Sequence, residues 1–414
     1  MKFTYQDSCG LKAADITKTA RTLDPYLADL QKATQDGNYS TDESCLHAAY
    51  DEELLESIKT LVQKKKNEHL REVMVVGIGG SILGSQALVQ ALRPNGVALS
   101  FFDTIDNHQA IKGIETIKRL AAEERQVLIN IISKSGSTIE PLSNARVFLD
   151  VLKTAMPNWQ SQVVVTSEPK SKLTAWAKTQ GIDTLPNPPK VGGRFSVLSA
   201  VGLFPAVLAG VDIGALRTGA QEADLKAAAE SAAIIYLNLK QGKIIHDLFL
   251  FDRDLENLGK WHRQLVGESL GKAGQGITPL VSMGSVDLHS MVQLYLVGPK
   301  DKFTTFVTLN RGEGVKVPEV DKEFDAIVPN TTGKTLSDII SAILSGTKEA
   351  YQKRGLPFVS IDLEAALEKE LGRFFQFKMI EVMCLAKLMG VDAFGQSSVE
   401  EYKAVTNKIL AEKN

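Results

Sequence analysis

The segment Val73-Met74-Val75-Val76-Gly77-Ile78-Gly79-Gly80-Ser81 sets a pattern that much of the chain repeats. Its apolar run is what a strand buried on both faces requires. It passes into glycines, and residues 83–92 then carry apolar side chains at helical spacing. The unit recurs. Residues 97–102 end at Asp103, residues 127–132 end at Ser133-Lys134-Ser135-Gly136-Ser137-Thr138, and residues 163–165 end at Thr166-Ser167. Strands that alternate with helices at this spacing predict a parallel sheet wrapped on both faces.

Upstream, residues 10–70 read as helical. Leu23, Tyr26, Leu27 and Leu30 recur at helical spacing, as do Leu54, Leu55, Ile58 and Leu61. Downstream, Pro186-Asn187-Pro188-Pro189-Lys190-Val191-Gly192-Gly193 is a break, followed by a helical segment over 196–209. A second series then predicts strands at 244–251, 304–309 and 358–361 and helices at 335–353 and 363–389. The expected organisation is a helical segment over 1–65, α/β domains over 66–200 and 201–389, and a loop and helix over 390–414. The two α/β series look related by pattern alone.

Composition narrows the function. The chain has 414 residues, 44% hydrophobic and 23% charged, as in a soluble globular protein of two or three domains. Its formal net charge of −2 lacks the basic excess of a nucleic-acid binder. Cys9, Cys45 and Cys384 are too few and too scattered for a disulfide framework. No apolar stretch of signal-peptide or membrane-spanning length stands out. These features lead us to expect a cytoplasmic protein. No His, Cys and carboxylate cluster has metal-ligand spacing, so no metal is expected.

The glycine-rich turns fail two familiar nucleotide motifs. Counting from Gly77, Ile82 stands where a dinucleotide fingerprint needs its third glycine. Gly79 and Gly84 have P-loop spacing, but Ser85-Gln86 follows instead of Lys and a hydroxyl residue. Gly267-Glu268-Ser269-Leu270-Gly271-Lys272 is one residue short. An anion-binding turn remains, because glycine lets backbone N–H groups approach a ligand at a helix start. Ser133–Thr138 is more specific. It places four hydroxyls in six residues between a strand and a helix, at the sheet edge where α/β proteins bind ligands. That chemistry suits a phosphate monoester.

In this order, Gly77–Ser81, Ser133–Thr138, Gly192-Gly193-Arg194-Phe195-Ser196, Gly267–Lys272, and Phe394-Gly395-Gln396 with Val399-Glu400-Glu401-Tyr402-Lys403 closely resemble the phosphoglucose isomerase family, in its shorter bacterial form. The resemblance covers roughly 70–405 and implies two sugar-isomerase (SIS) domains. It also implies interconversion of glucose 6-phosphate and fructose 6-phosphate without a cofactor, by acid–base ring opening and proton transfer through a cis-enediolate.

Residue by residue, the resemblance implies that Glu268 is the base that moves the proton and that Arg194 stabilises the enediolate. Gln264 would bind the sugar. His289 would open the ring, reaching the site from the neighbouring subunit and oriented by Glu140, so that the chain would act as a homodimer. His262 is a weaker candidate for the histidine. Lys403 would lie beside the ring oxygen and Gln396 on the phosphate side. Ser133, Ser135 and Thr138, with Lys134 and Gly136 through their backbone, would hold the phosphate, and Gly80 and Ser81 would contact the sugar. Ser397-Ser398 departs from the family, where a proline or glycine pair is expected. Two other functions stay open: an isomerase that also accepts mannose 6-phosphate, and a sugar-phosphate sensor. Ser269-Leu270 lacks the threonine signature that goes with the first. The sensor would not need Glu268, His289 and Lys403 together.

Overall fold

The computed structural model describes residues 1–312, 314–364, 367–396 and 399–412. Two five-stranded sheets organise it. The first comprises β2 (Leu70–Val76), β3 (Ala98–Phe102), β4 (Gln126–Ile132), β5 (Val163–Ser167) and β6 (Asp183–Pro186), in the order β3-β2-β4-β5-β6. All its pairings are parallel. The second comprises β1 (Lys2–Thr4), β7 (Ile245–Leu250), β8 (Thr278–Met283), β9 (Lys302–Leu309) and β10 (Phe358–Leu363), in the order β1-β10-β9-β7-β8. Only β1 runs antiparallel.

Read from the opposite edge, the second sheet is β8-β7-β9-β10-β1. The first strand of each series is thus flanked by the second on one side and by the third and fourth on the other. The pattern-based kinship of the two series is therefore a shared topology. They differ at the fifth position, which β6 fills in one sheet and the N-terminal strand, reversed, in the other.

Alternation along the strands separates three apolar layers. Val73 and Val75 of β2, with Leu248 and Leu250 of β7, belong to one core that joins the inner faces of both sheets. Their neighbours Met74 and Val76 face a second core, under Phe148 and Leu152 of the Ile139–Ala155 helix. Phe249 and Phe251 face a third, with Phe306 and Tyr351. The Leu367–Met389 helix crosses the central core with Phe374, Phe375 and Phe377 fully buried.

The strands missing from the sequence reading are β1, β6 and β8, and all are edge strands. β1 and β6 have three and four residues. β8 contains Pro279 and is mostly half-buried, which an edge tolerates and a central strand does not. The helix expected over 196–209 is shorter, Ala200–Leu208, because Ser199 caps it by accepting from Val201 N. Among the described residues no helix is long and apolar enough to cross a membrane, and no group of His, Cys, Asp and Glu could hold a metal. The three cysteines are buried and free.

The central core also encloses charge. His246 donates to or accepts from Thr305 Oγ1 at 2.9 Å, and its ring meets His262 edge-on at 5.6 Å. Neither ring nitrogen of His262 has a partner among the described residues. Burial, with the Lys378 ammonium nearby, holds both histidines well below the usual imidazole range. On the opposite face of β7, burial pushes the Asp247 carboxyl up to about 7.

These shifts have opposite signs. Between about pH 6 and 5 the unfolded chain binds two protons on the histidines that the fold excludes, and lacks one that folded Asp247 keeps. The net uptake on unfolding is two minus one. Stability should therefore fall by about 1.4 kcal/mol per pH unit as pH drops through that window. Urea titrations at pH 6.0, 5.5 and 5.0 measure the slope. His262→Met removes one of the two protons and should flatten it; an unchanged slope would contradict the assignment.

Candidate active site

The loops at the carboxyl ends of the first sheet meet the helix Glu256–Leu270 and the chain at 392–396. Gly79–Ser81 forms a 3-10 turn directly after β2, and Gly193–Phe195 forms another. Their backbones touch. A Cβ on Gly80 would lie 2.1 Å from the Gly193 carbonyl carbon and 2.4 Å from Arg194 N. Ser196 Oγ ties the crossing by sharing its one proton between Gly193 O at 2.7 Å and, more weakly, Gly80 O at 3.2 Å. Trp261 Nε1 donates to Arg194 O at 3.2 Å, which fixes the same turn to the helix.

That crossing aims Arg194 inward. Its side chain is 1% exposed, and every guanidinium nitrogen has a partner. Nε donates to Ser269 Oγ at 2.8 Å and Nη1 to Glu268 Oε2 at 3.1 Å. Nη2 donates to the carbonyls of Ala393 at 2.6 Å and Phe394 at 3.1 Å. Burial lowers its pKa from the ordinary value and Glu268 opposes the shift. A guanidinium stays protonated regardless.

Glu268 is one third exposed, so a ligand can reach a carboxylate whose position is set from three sides. Besides Arg194, Gln264 Nε2 donates to Oε1 at 2.9 Å and Gln396 Nε2 to Oε2 at 2.7 Å. Gln264 is one helical turn before Glu268 and shares its face. Gly79, at φ +56°, makes room: a Cβ there would sit 2.8 Å from Gln264 Nε2. His262 is six residues before Glu268, about 240° around the helix. It is fully buried in the core and has no part in this cluster.

The serine-rich loop is a separate, preorganised cradle. Ser133 Oγ pairs with Thr138 Oγ1 at 3.1 Å, and Ser135 Oγ with Ser137 Oγ at 3.1 Å. Thr138 is the N-cap of Ile139–Ala155 but makes no side-chain cap bond. The first N–H groups of this 17-residue helix thus stay available for an anion. Gly136 takes φ +66°, and a Cβ would meet Leu173 and Ser171 at 2.9 Å. Ser167 Oγ donates to Ser133 O at 2.6 Å, and Glu168 N to Lys134 O at 3.1 Å. Lys134 Nζ lies 3.8 Å from Glu168. Ser81 is half-buried in its turn, and Glu140 is half-buried in the first turn of the helix.

Other expected residues are not gathered here. His289 ends a short turn, Val286–Leu288, and is exposed. No hydrogen bond or ion pair within the described residues joins it to Glu140 or Glu268. Lys403 is half-buried on the terminal helix Val399–Glu412. Ser397 and Ser398 lie outside the described residues. The sequence reading passed over Ser269 as a partner of Arg194, and Asp392. Asp392 accepts from Phe394 N at 2.9 Å and Gly395 N at 2.8 Å, and Lys272 Nζ bonds its carbonyl. Asp392-Ala393-Phe394-Gly395 is an Asx-turn pattern that could have been found.

The Gly80–Gly193 contact is directly testable. Gly80→Ala drives a methyl into backbone that cannot yield, and should cost about 3 kcal/mol. Gly346→Ala, in a helix and with nothing within 4 Å of its added Cβ, should instead stabilise by about 0.5–1 kcal/mol. Equal unfolding midpoints for the two variants in calorimetry would refute the close crossing.

The family model described as Phosphoglucose isomerase matches residues 31–287. A glucose-6-phosphate isomerase of Thermus thermophilus is 35% identical over 362 residues, 84% of this chain and 86% of that one. That of Methanocaldococcus jannaschii is 35% identical over 347 residues, 82% and 84% of the two chains. Among solved structures, a hypothetical protein from Thermus thermophilus superposes with a TM-score of 0.85 at 29% identity, over 99% of both chains. A glucose-6-phosphate isomerase from Chlamydia trachomatis shares the fold with a TM-score of 0.76 at 19% identity, over 90% of this chain and 75% of that one. The extent of these matches and the Arg194–Glu268 cluster lead to one conclusion: the chain belongs to the phosphoglucose isomerase family, as an aldose–ketose isomerase acting on a hexose phosphate.

Proposed function

We propose that the chain interconverts glucose 6-phosphate and fructose 6-phosphate, a step of glycolysis and gluconeogenesis, in the cytoplasm. The observation that carries this is the Glu268 carboxylate, part-exposed yet fixed by Arg194, Gln264 and Gln396. The phosphate sits on the Ser133, Ser135 and Thr138 hydroxyls, the backbone at Lys134 and Gly136, and the helix N-terminus. The sugar then lies against Gly80, Ser81 and Gln264. Lys403 and His289 open the ring by moving a proton between the ring oxygen and the C1 or C2 hydroxyl. Glu268 takes the proton from one carbon and returns it to its neighbour, while a hydroxyl proton passes from one of the two oxygens to the other, so that a cis-enediolate forms and collapses. Arg194 holds the oxygen charge that develops; a preorganised cation is worth most where water is excluded.

We further propose the two domains as 66–200 and 201–389 and a homodimer whose sites are shared, with His289 of one chain set against Glu140 and Glu268 of the other. What supports the dimer is the apolar surface of one chain. Val315, Val320, Phe324, Ile327, Val328 and Leu336 are exposed along one arm, and Tyr402, Val405 and Ile409 along the terminal helix. Large apolar side chains left exposed in such number are what an interaction site covers.

A coupled assay with fructose 6-phosphate, glucose-6-phosphate dehydrogenase and NADP⁺ tests the reaction. Glu268→Gln should lower kcat by roughly 10²–10⁴-fold, the usual contribution of a positioned base. A variant within threefold of the wild type would sink the assignment. Mixing tests the sharing. Glu268→Gln and His289→Ala homodimers, each inactive, should on subunit exchange regain about a quarter of wild-type activity, since half the dimers are mixed and each has one intact site. No recovery, with exchange shown by mass spectrometry, would place both residues in one chain's own site.

A further inference from the structure

The outer face of the second sheet carries a buried polar relay that this mechanism leaves unused. Asp247 of β7 is 1% exposed. Ser282 of β8 donates its hydroxyl to Asp247 Oδ1 at 2.9 Å. A serine has one such proton, so the bond between Ser282 Oγ and the Tyr295 hydroxyl, 2.7 Å, has tyrosine as the donor. Tyr295 is 4% exposed, at the core end of the short helix Val292–Val297, edge-on to Phe249. Asp247 Oδ2 has no partner among the described residues. Lys302 and Asp287 are the charged groups that act on the carboxyl, and Tyr351 packs near it. A carboxyl buried like this is costly where an apolar side chain would be cheap. The relay therefore calls for a use.

Two of its members bracket one segment. Between Ser282 and Tyr295 lies the turn that carries His289. Asp287 clamps the front of that turn by accepting from Met283 N at 2.7 Å and from Ser290 Oγ at 2.7 Å. Tyr295 clamps the back. The His289 ring has no hydrogen-bond partner among the described residues, so its direction within the chain is set by the backbone beneath it. Leu288 and Met291, on either side, pack against the same outer core as Tyr295.

We propose that Asp247, through Ser282 and Tyr295, is a positioning residue for His289: it anchors the turn that presents the imidazole to the sugar ring. This rests on the ring-opening role proposed for His289. Asp247 touches no substrate. It acts by keeping Tyr295 docked, and a turn that shifts by about 1 Å can lower turnover about 10²-fold.

The test measures turnover of fructose 6-phosphate and the affinity for inorganic phosphate, which reads the Ser133–Thr138 cradle on the other sheet. Asp247→Ala and Tyr295→Phe each break the relay and should lower kcat by about 10- to 100-fold, with phosphate affinity within twofold of the wild type. Asp247→Asn keeps an acceptor for Ser282 and should stay within threefold in kcat. Such rescue by the conservative variant would not follow from a need for charge. Should Asp247→Ala fail to fold, Tyr295→Phe, which loses one hydroxyl, decides alone. Relay variants with wild-type kcat beside an inactive His289→Ala would overturn the relay and leave the ring-opening role standing. Relay variants that lose phosphate affinity as steeply as turnover would also overturn it, as general loosening. A fully active His289→Ala would sink both.

Discussion

Arg194 is where the two halves of the molecule are joined chemically. A guanidinium with 1% of its side chain exposed survives only if its nitrogens find partners, and each of the three does. Its partners come from two places: Ser269 and Glu268 on the Glu256–Leu270 helix, and the carbonyls of Ala393 and Phe394 near the C-terminus. The arginine itself leaves the first sheet's side of the chain through Gly192-Gly193. Satisfying one buried cation therefore fixes the break after the first sheet, a helix of the second series and the terminal loop in a single arrangement. That arrangement leaves Glu268 one third exposed, within reach of a ligand.

Glycine makes the arrangement possible at one crossing. Gly80 and Gly193 let two turns meet backbone to backbone, and the Ser196 hydroxyl bonds a carbonyl on each side. A side chain at Gly80 would separate the turn after β2 from the turn that carries Arg194. The glycine-rich turn and the cation would then lose register. Local conformational freedom at one residue is in this way converted into placement of a charge.

Much of this was legible in the sequence because buried strands and glycine-rich turns announce themselves. The runs at Val73–Val76 and 127–132 are apolar on both faces, and the structure puts them at the centre of the first sheet. The Ser133–Thr138 hydroxyls and the Gln264–Glu268 spacing likewise translate into a cradle and a shared helix face. What escaped has a common cause. β1, β6 and β8 are edges, short or only half-buried, where no long fully buried apolar run marks a strand. The bond of Ser269 to Arg194 joins residues 75 apart in sequence, and no local pattern encodes it. His262 shows the converse: six residues from Glu268 in sequence, yet turned by the helical period into the core.

The residues of the site divide by how firmly they must be held. Proton transfer between adjacent carbons tolerates little error, and an enediolate needs its cation in place before charge develops. In keeping with the proposed roles, Glu268 and Arg194 are locked by a direct bond to each other and by partners on the Glu256–Leu270 helix and at 393–396. Ring opening moves a proton between oxygens on a flexible sugar and can be served by groups that arrive with the ligand or the partner. His289 stands on an exposed turn and Lys403 on a terminal helix whose apolar face is still uncovered in the single chain. On the proposed mechanism, the rigid half of the chemistry is built into the fold of one subunit. The adaptable half is carried on elements that the proposed second subunit would complete, which would put turnover under the control of assembly.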